Sequence, residues 1–272
     1  MHADRLQAQR FEIKYLVPDS VALSARDFVR AYLDADEFSA TRADFSYPVH
    51  SLYLDSDEMV FYRQTLNGDK NRLKMRARFY DQDIDSPVFL EIKRRTNDTI
   101  SKQRCAIRRE ALWTVLRGQL PEPSMIVSKG KNAAFALDNF LRLLLAHQAK
   151  PVAHVRYLRE AWVSRADNSL RVTMDRNVRF DVQAEARLET SMEDPIAVFD
   201  PEVVLELKFT NRCPDWFEQL ARVFNLRQYS AAKYAEGVTL FGRHRMMNRL
   251  HQLRRHAYPD GGLAQAFTEE RS

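Results

Sequence analysis

From Arg72 to Phe79 the chain changes character at every residue: Arg72, Lys74, Arg76 and Arg78 alternate with Leu73, Met75, Ala77 and Phe79. Successive side chains of a strand point to opposite faces, so this segment reads as a strand with one cationic face and one apolar face. The apolar face has to be buried. Wherever it is buried, four cations are presented together on the other side.

The same alternation recurs. Arg10, Glu12 and Lys14 share a face, as do Glu91, Lys93 and Arg95, and Glu202, Val204, Glu206 and Lys208. A hairpin offers Tyr157, Arg159 and Ala161 on one arm and Arg171, Thr173, Asp175, Asn177 and Arg179 on the other, turning at Ala166–Asn168. Three strands repeat a small pattern, Glu12-Ile13-Lys14, Glu91-Ile92-Lys93 and Glu206-Leu207-Lys208, each with an apolar residue behind a carboxylate and an ammonium. A single strand of this kind is usually half-exposed, with its polar side in water. Five or six of them, rich in Arg and poor in Ser and Gln, point to apolar faces turned outward under helices and charged faces turned into a barrel.

The remaining elements fit that arrangement. Strands are expected over Arg10–Val17, Val49–Leu54, Arg72–Tyr80, Val88–Arg95, Arg104–Glu110, Ala153–Val163, Ser169–Phe180 and Glu202–Thr210. Helices are expected over Ser20–Leu33, Asp57–Leu66, Leu112–Arg117, Asn132–Gln148, Asp215–Phe224 and about Ala231–Arg255. The fold class is α+β: a large antiparallel sheet or barrel with flanking helices and a C-terminal helix. Residues 1–256 read as one domain and 257–272 as a disordered tail. Only seven glycines and no repeat argue against linkers or a solenoid. Cys105 and Cys213 are distant and form neither a disulfide framework nor a zinc motif. No apolar run reaches the ~18 residues of a membrane span, so a cytoplasmic protein is expected.

An inward cluster of Arg and Lys cannot stay dry and empty, because each desolvated ion costs several kcal/mol unless paired. The carboxylates offset only part of the charge. A phosphate chain would offset the rest, since guanidinium groups engage phosphate oxygens through a two-pronged fork. The carboxylates would then hold Mg²⁺ or Mn²⁺ between protein and phosphate. The carboxylates interleaved on the charged faces speak against nucleic acid as the partner. Trp113, Trp162 and Trp216 read as packing residues, and Arg243, His244, Arg245, Arg254 and Arg255 as a solvated helix face.

At these residues the chain resembles a known family, the polyphosphate polymerase domain of the vacuolar transporter chaperone (VTC) type, within the CYTH-like triphosphate tunnel metalloenzymes. The resemblance spans roughly Arg10 to Gly242. It is carried by Arg10–Tyr15, Ser51–Asp55, Phe61–Arg63, Lys74–Tyr80, Leu90–Lys93, Ser101–Lys102, Tyr157–Arg159, Leu170–Asp175, Leu205–Lys208 and Ser230–Tyr234, taken in their order and spacing. It implies an eight-stranded antiparallel β-barrel, a tunnel. It implies catalytic cations at Arg76, Arg78, Lys93, Arg159 and Arg171, and phosphate-binding residues at Lys14, Arg63, Lys102 and Lys233. The metal carboxylate carries over to Glu206, with Glu12 and Glu91 as second choices, either as ligands or as partners of neighbouring cations, and Asp175 behind them.

The fuller Glu-x-Glu-x-Lys opening of the triphosphatase and cyclase-like relatives is absent, which favours the polymerase branch. Ser230 stands where some relatives carry a second basic residue. The resemblance implies transfer of the γ-phosphoryl of ATP to a growing polyphosphate chain, with Mn²⁺ or Mg²⁺ as cofactor. Two alternatives stay open: a metal-dependent triphosphatase or polyphosphatase, and a non-catalytic polyphosphate-binding module. Neither a phosphate-sensing domain ahead of the barrel nor a membrane segment after it is expected. Membrane association, if any, is therefore expected through a membrane-protein partner. Neither sequence nor resemblance fixes the oligomeric state.

Overall fold

The computed structural model describes residues 10–97, 99–165 and 169–257. The hairpin turn expected at Ala166–Asn168 and the tail expected over 258–272 lie outside the described residues. The strands are β1 (Arg10–Val17), β2 (Asp34–Ala35), β3 (Ser46–Asp55), β4 (Asn71–Phe79), β5 (Val88–Thr96), β6 (Thr99–Ile107), β7 (Lys150–Val163), β8 (Leu170–Val182), β9 (Ile196–Ala197) and β10 (Val203–Thr210). The helices are α1 (Asp19–Val29), α2 (Glu37–Ala40), α3 (Val60–Leu66), α4 (Ala111–Leu116), α5 (Lys131–His147), α6 (Asp215–Val223), α7 (Lys233–Phe241) and α8 (Arg243–Ala257), with a 3₁₀ turn at Pro123–Met125.

The long strands follow the order β1-β10-β8-β7-β3-β4-β5-β6, with β2 beside β7 and β9 beside β8. The pairings of β1 with β10, β10 with β8, β2 with β7, β3 with β4, β4 with β5 and β5 with β6 are antiparallel. This is the expected α+β sheet with flanking helices, but its hydrogen bonding does not close into a ring among the described residues: β1 and β6 are its two ends. The reason is local. Tyr15 bridges to Gln228 and the Lys14 carbonyl accepts from Tyr229, while Ile107 bridges to Ile126 and the Ala106 carbonyl accepts from Val127 and Ser128. Each end strand thus spends backbone groups on a neighbouring loop instead of on the other end strand.

The chain divides into two compact units. The first contains Met1–Pro48, Tyr157–Val178 and Ala197–Ala232. Its core is one face of β1, β8 and β10 (Tyr15, Val17, Val172, Met174, Leu205, Leu207, Phe209) against Ala22, Ala25 and Val29 of α1 and Phe217 and Leu220 of α6. Glu160, fully buried on β7, ties α1 down: it accepts two hydrogen bonds from Arg26 and one each from Arg176 and the Trp162 indole. Trp162 is thus a packing residue, and Trp216 stacks on Tyr32 at 4.6 Å.

The second unit contains Val49–Arg156, Arg179–Ile196 and Lys233–Ser272. Its core joins Leu52, Leu54, Leu73, Met75, Ala77, Phe79, Leu90, Ile92, Cys105 and Ile107 to Leu112, Leu137, Phe140 and Leu144 of α4 and α5. The alternation in β4 therefore does what it predicts: Leu73, Met75, Ala77 and Phe79 are in the core and helices cover them.

Two expectations are corrected. Strand β6 begins at Thr99, five residues before the expected start, and ends at Ile107. Thr96 pairs with Thr99, so β5 returns through a two-residue turn that Asn97 enters with φ +52°. The helical stretch expected from Ala231 to Arg255 is two helices, because Gly242 adopts φ +90° between α7 and α8. That angle lies in the left-handed region that ends helices and favours glycine.

Gly237 in α7 is required for a different reason. A Cβ there would lie 2.2 Å from Phe180 Cδ2 and 2.5 Å from its Cγ. Gly237→Ala is expected to cost about 1–3 kcal/mol by forcing that ring aside, although alanine is the better helix former by about 1 kcal/mol. Urea unfolding checks this.

His50 and His154 are both buried, with Nδ1 and Nε2 3.0 Å apart and the Phe79 ring stacked 5.0 Å from His50. Burial, helped by Arg156 and opposed by Asp81, lowers His50 to about 4. Burial, His50 and Arg156 lower His154 to about 3. Both rings are neutral when folded, while unfolded histidine titrates near 6.5. Their contribution to stability is therefore complete above about pH 6.5 and is lost as pH falls toward 4. The unfolding free energy is expected to drop by up to about 1.4 kcal/mol per pH unit per ring in that window. Denaturant melts of the His50→Phe/His154→Leu variant should show a flatter pH dependence.

Candidate functional site

The register of the second unit sets out its charged face strand by strand. Tyr53 of β3 lies opposite Arg76 of β4, and Ser51 opposite Arg78. Arg76 lies opposite Glu91 of β5, and Lys74 opposite Lys93. Glu91 lies opposite Arg104 of β6, and Lys93 opposite Lys102. These residues share one side of the sheet, away from the apolar core. Lys74, Lys93 and Lys102 thus form a row of like charges directly opposite one another, an arrangement that is destabilising by itself.

Glu91 is the carboxylate at the centre of this face, with 1% of its side chain exposed. Arg76 contacts its Oε2 through Nε and Nη2, both at 2.8 Å, and Arg78 Nη1 stands 3.7 Å from the same oxygen. Lys102 Nζ and Arg104 Nε approach Oε1 at 2.7 and 3.4 Å. Burial raises the Glu91 pKa, but Arg78, Arg76 and Lys102 outweigh it and hold the carboxyl well below its usual range. Arg78 is itself 7% exposed. Burial pulls the Lys102 ammonium down; Glu91 opposes this and Arg78 and Arg76 add to it. Arg104 completes the group, its guanidinium 3.5 Å from the centre of the Phe89 ring.

Helices add to the same unit. Asp55, at the end of β3, is fully buried and accepts from the backbone N–H groups of Ser56, Phe61 and Tyr62 and from the Tyr234 hydroxyl at 2.9 Å. It anchors the start of α3 and holds it to α7. Lys233, at the start of α7, is 8% exposed. Arg63 lies on the exposed side of α3.

The first unit carries its own cluster. Lys14 of β1 lies opposite Glu206 of β10, and Glu12 opposite Lys208. Glu206 lies opposite Thr173 of β8, and Lys208 opposite Arg171. Lys14 Nζ is 3.0 Å from both Glu12 and Glu206, and donates to the Ala231 carbonyl at 3.3 Å. Burial lowers the Lys14 pKa, but Glu206 and Glu12 outweigh it, and the net shift is upward. Lys208 also bonds Glu206, yet burial brings it down to about 8. Arg159 grips Asp175 with two bonds of 2.7 and 2.8 Å and lies 3.8 Å from Glu206. Arg171 pairs with Asp36 at 2.7 Å, and Asp36 also accepts from Tyr47 and caps α2.

The structure therefore gathers Arg76, Arg78, Lys93, Lys102 and Glu91 in the second unit, and Lys14, Glu12, Glu206, Arg159, Arg171 and Asp175 in the first. Among the described residues no set of three or more His, Cys, Asp or Glu converges as a metal site. Glu12 and Glu206 do converge, on a single ammonium. Glu91 is surrounded by cations and Asp175 is engaged by Arg159.

A family model matches this architecture over most of its length: residues 9–241 fit the VTC domain. The chain belongs to the VTC domain family. Vacuolar transporter chaperone complex subunit 4 of Trypanosoma brucei brucei is 26% identical over 228 residues, covering 72% of this chain, and that of Trypanosoma cruzi is 25% identical over the same length. This VTC-family chain spans 28% of the length of those relatives. Among solved structures, a putative adenylate cyclase from Bacillus halodurans aligns with TM-score 0.47 at 10% identity, covering 86% of this chain and 97% of that one. One from Vibrio parahaemolyticus aligns with TM-score 0.42 at 10% identity, covering 85% and 98%.

Four residues of these VTC-domain clusters escape sequence reasoning as site residues: Tyr53, Arg104, Lys208 and Asp36. Lys208 and Arg104 were accessible to it. Lys208 follows the Glu-x-Lys pattern, and Arg104 falls on the cationic face once β6 starts at Thr99. Asp36 meets Arg171 across 135 residues and leaves no local pattern.

Replacing Glu91 tests the balance of the face. Glu91→Gln leaves Arg76 and Arg78 without their buried counter-charge, and a loss of about 3 kcal/mol is expected. Added inorganic phosphate should recover part of it, read as a larger rise in melting temperature than in the unsubstituted protein.

Proposed function

We propose that the chain is a polyphosphate polymerase, transferring the γ-phosphoryl of ATP to a growing polyphosphate chain. The observation that carries the reading is the row Lys74–Lys93–Lys102 set beside Arg76, Arg78 and Arg104, with Glu91 the acid among them. Three lysines opposite one another on adjacent strands repel, and an anion lying over them would relieve that repulsion. A chain of phosphates carries charge at a spacing that can satisfy several such cations together.

Arg76 and Arg78 are assigned to phosphoryl oxygens, with Lys93, Lys102 and Lys233 along the chain and Arg63 at the outer end. In the first unit Lys14, Arg159 and Arg171 are assigned to phosphate as well. Glu206 with Glu12 would hold Mn²⁺ or Mg²⁺. Both carboxylates already stand 3.0 Å from one ammonium, and hard oxygen donors plus retained waters suit these ions. The ion would supply additional neutralisation of phosphoryl charge. Phosphoryl transfer asks a protein mainly for alignment and charge stabilisation, which fixed guanidinium and ammonium groups provide.

Similarity to subunit 4 of a vacuolar transporter chaperone complex supports a role beside partner proteins, and a membrane-protein partner is part of the proposal. No helix among the described residues is long and apolar enough to cross a membrane.

Incubation with ATP and Mn²⁺ followed by phosphorus NMR separates polymer, orthophosphate and unchanged ATP. Polymer is expected, and Glu206→Ala should abolish it. Orthophosphate without polymer would assign a hydrolase instead. Unchanged ATP together with tight polyphosphate binding would assign a binding module.

A further inference from the structure

Tyr53 stands among the cations of the second unit and nothing so far gives it a task. Its side chain shares the face of Arg76 and Arg78, and only 6% of the residue is exposed. Arg76 Nη1 donates to its hydroxyl oxygen at 3.0 Å. That bond uses a lone pair and leaves the hydroxyl's own proton to be placed. The charges that act on the phenol belong to Arg76, Arg78 and Lys233, which offer donors and no acceptor. Among the described residues the bond from Arg76 is the one hydrogen bond made by this hydroxyl.

The ring cannot swing away to seek water. It stacks on the Tyr234 ring at 4.9 Å and an interplanar angle of 9°. Tyr234 is in turn fixed by its bond to buried Asp55, which three backbone N–H groups hold in place. The result is a rigid donor inside a group of cations, with its acceptor still to come. Burial raises the phenol's pKa, but Arg76, Arg78 and Lys233 outweigh it and bring it below the usual tyrosine value. A more acidic hydroxyl is a stronger hydrogen-bond donor to an anion.

We propose that Tyr53 is a phosphate-binding residue, donating its hydroxyl proton to an oxygen of the phosphate chain that Arg76 and Arg78 hold. Arg76 then plays two parts, pairing with phosphate and orienting the phenol. The inference rests on the function proposed above and adds one neutral donor to its cationic site.

Calorimetric titration with tripolyphosphate tests it. Tyr53→Phe keeps the ring stack and removes the donor, so affinity should fall roughly 10–150-fold, the span of one hydrogen bond to a charged group. Tyr234→Phe is the comparison: it loses the bond to Asp55, should melt earlier, and should bind within about twofold of the unsubstituted protein, since it keeps the ring that stacks on Tyr53 and the bond it loses is to Asp55 and not to the anion. A second readout uses the unsubstituted protein and does not depend on the Tyr53 variant folding. In an alkaline titration followed by tyrosine ultraviolet absorbance, saturating tripolyphosphate should raise the pH at which one tyrosine ionises. Equal affinity of Tyr53→Phe, or no shift in that titration, overturns the inference while leaving the function standing. Failure of the unsubstituted protein to bind tripolyphosphate overturns both.

Discussion

One buried carboxylate holds the cationic face of the second unit together. Glu91 lies between Arg76 and Arg104 in the register, and its two oxygens meet Arg76, Arg78, Lys102 and Arg104. Charge so concentrated survives only if some of it is cancelled inside the fold. Beside it a row of lysines repeats one sign across three strands. The fold tolerates this because the reverse side of the same strands carries a dense apolar core under α4 and α5. Hydrophobic burial on one face thus offsets electrostatic repulsion on the other, and a two-residue period keeps the two strictly apart.

The first unit solves its problem differently. Its carboxylates and cations are nearly matched: Glu12 and Glu206 around Lys14 and Lys208, Asp175 on Arg159, Asp36 on Arg171. Each cation has a near partner that also fixes its direction. The two units therefore offer distinct chemistries, one poor in acid and one in which acid and base alternate. In the proposed reading both surfaces grip phosphate, and the acid of the second kind is what would add cation binding there.

Much of this was legible in the sequence wherever the relevant rule is local. Alternation over Arg72–Phe79 placed Arg76 and Arg78 on one face and their neighbours in the core, and the structure agrees. The Glu-x-Lys segments marked β1, β5 and β10. What was missed depends on contacts distant in sequence or on a single backbone angle. Strand β6 was begun late because a two-residue turn at Asn97 leaves almost no sequence between β5 and β6 to mark a break. Gly242 was read through as helix because apolar spacing continues on both sides of it. Tyr53 joins the cationic face through its register partner, Arg76, a pairing that no local pattern in the sequence reveals.

A row of backbone N–H and C=O groups left bare on an outermost strand is an invitation to any other extended chain. Here Gln228 and Tyr229 meet β1 at Lys14 and Tyr15, and Ile126 to Ser128 meet β6 at Ala106 and Ile107, so part of each border is occupied by the molecule's own peptide. A second molecule seeking to add its strand to either border would first have to peel that peptide away. The sheet's openness thus carries its own guard against stacking into fibres.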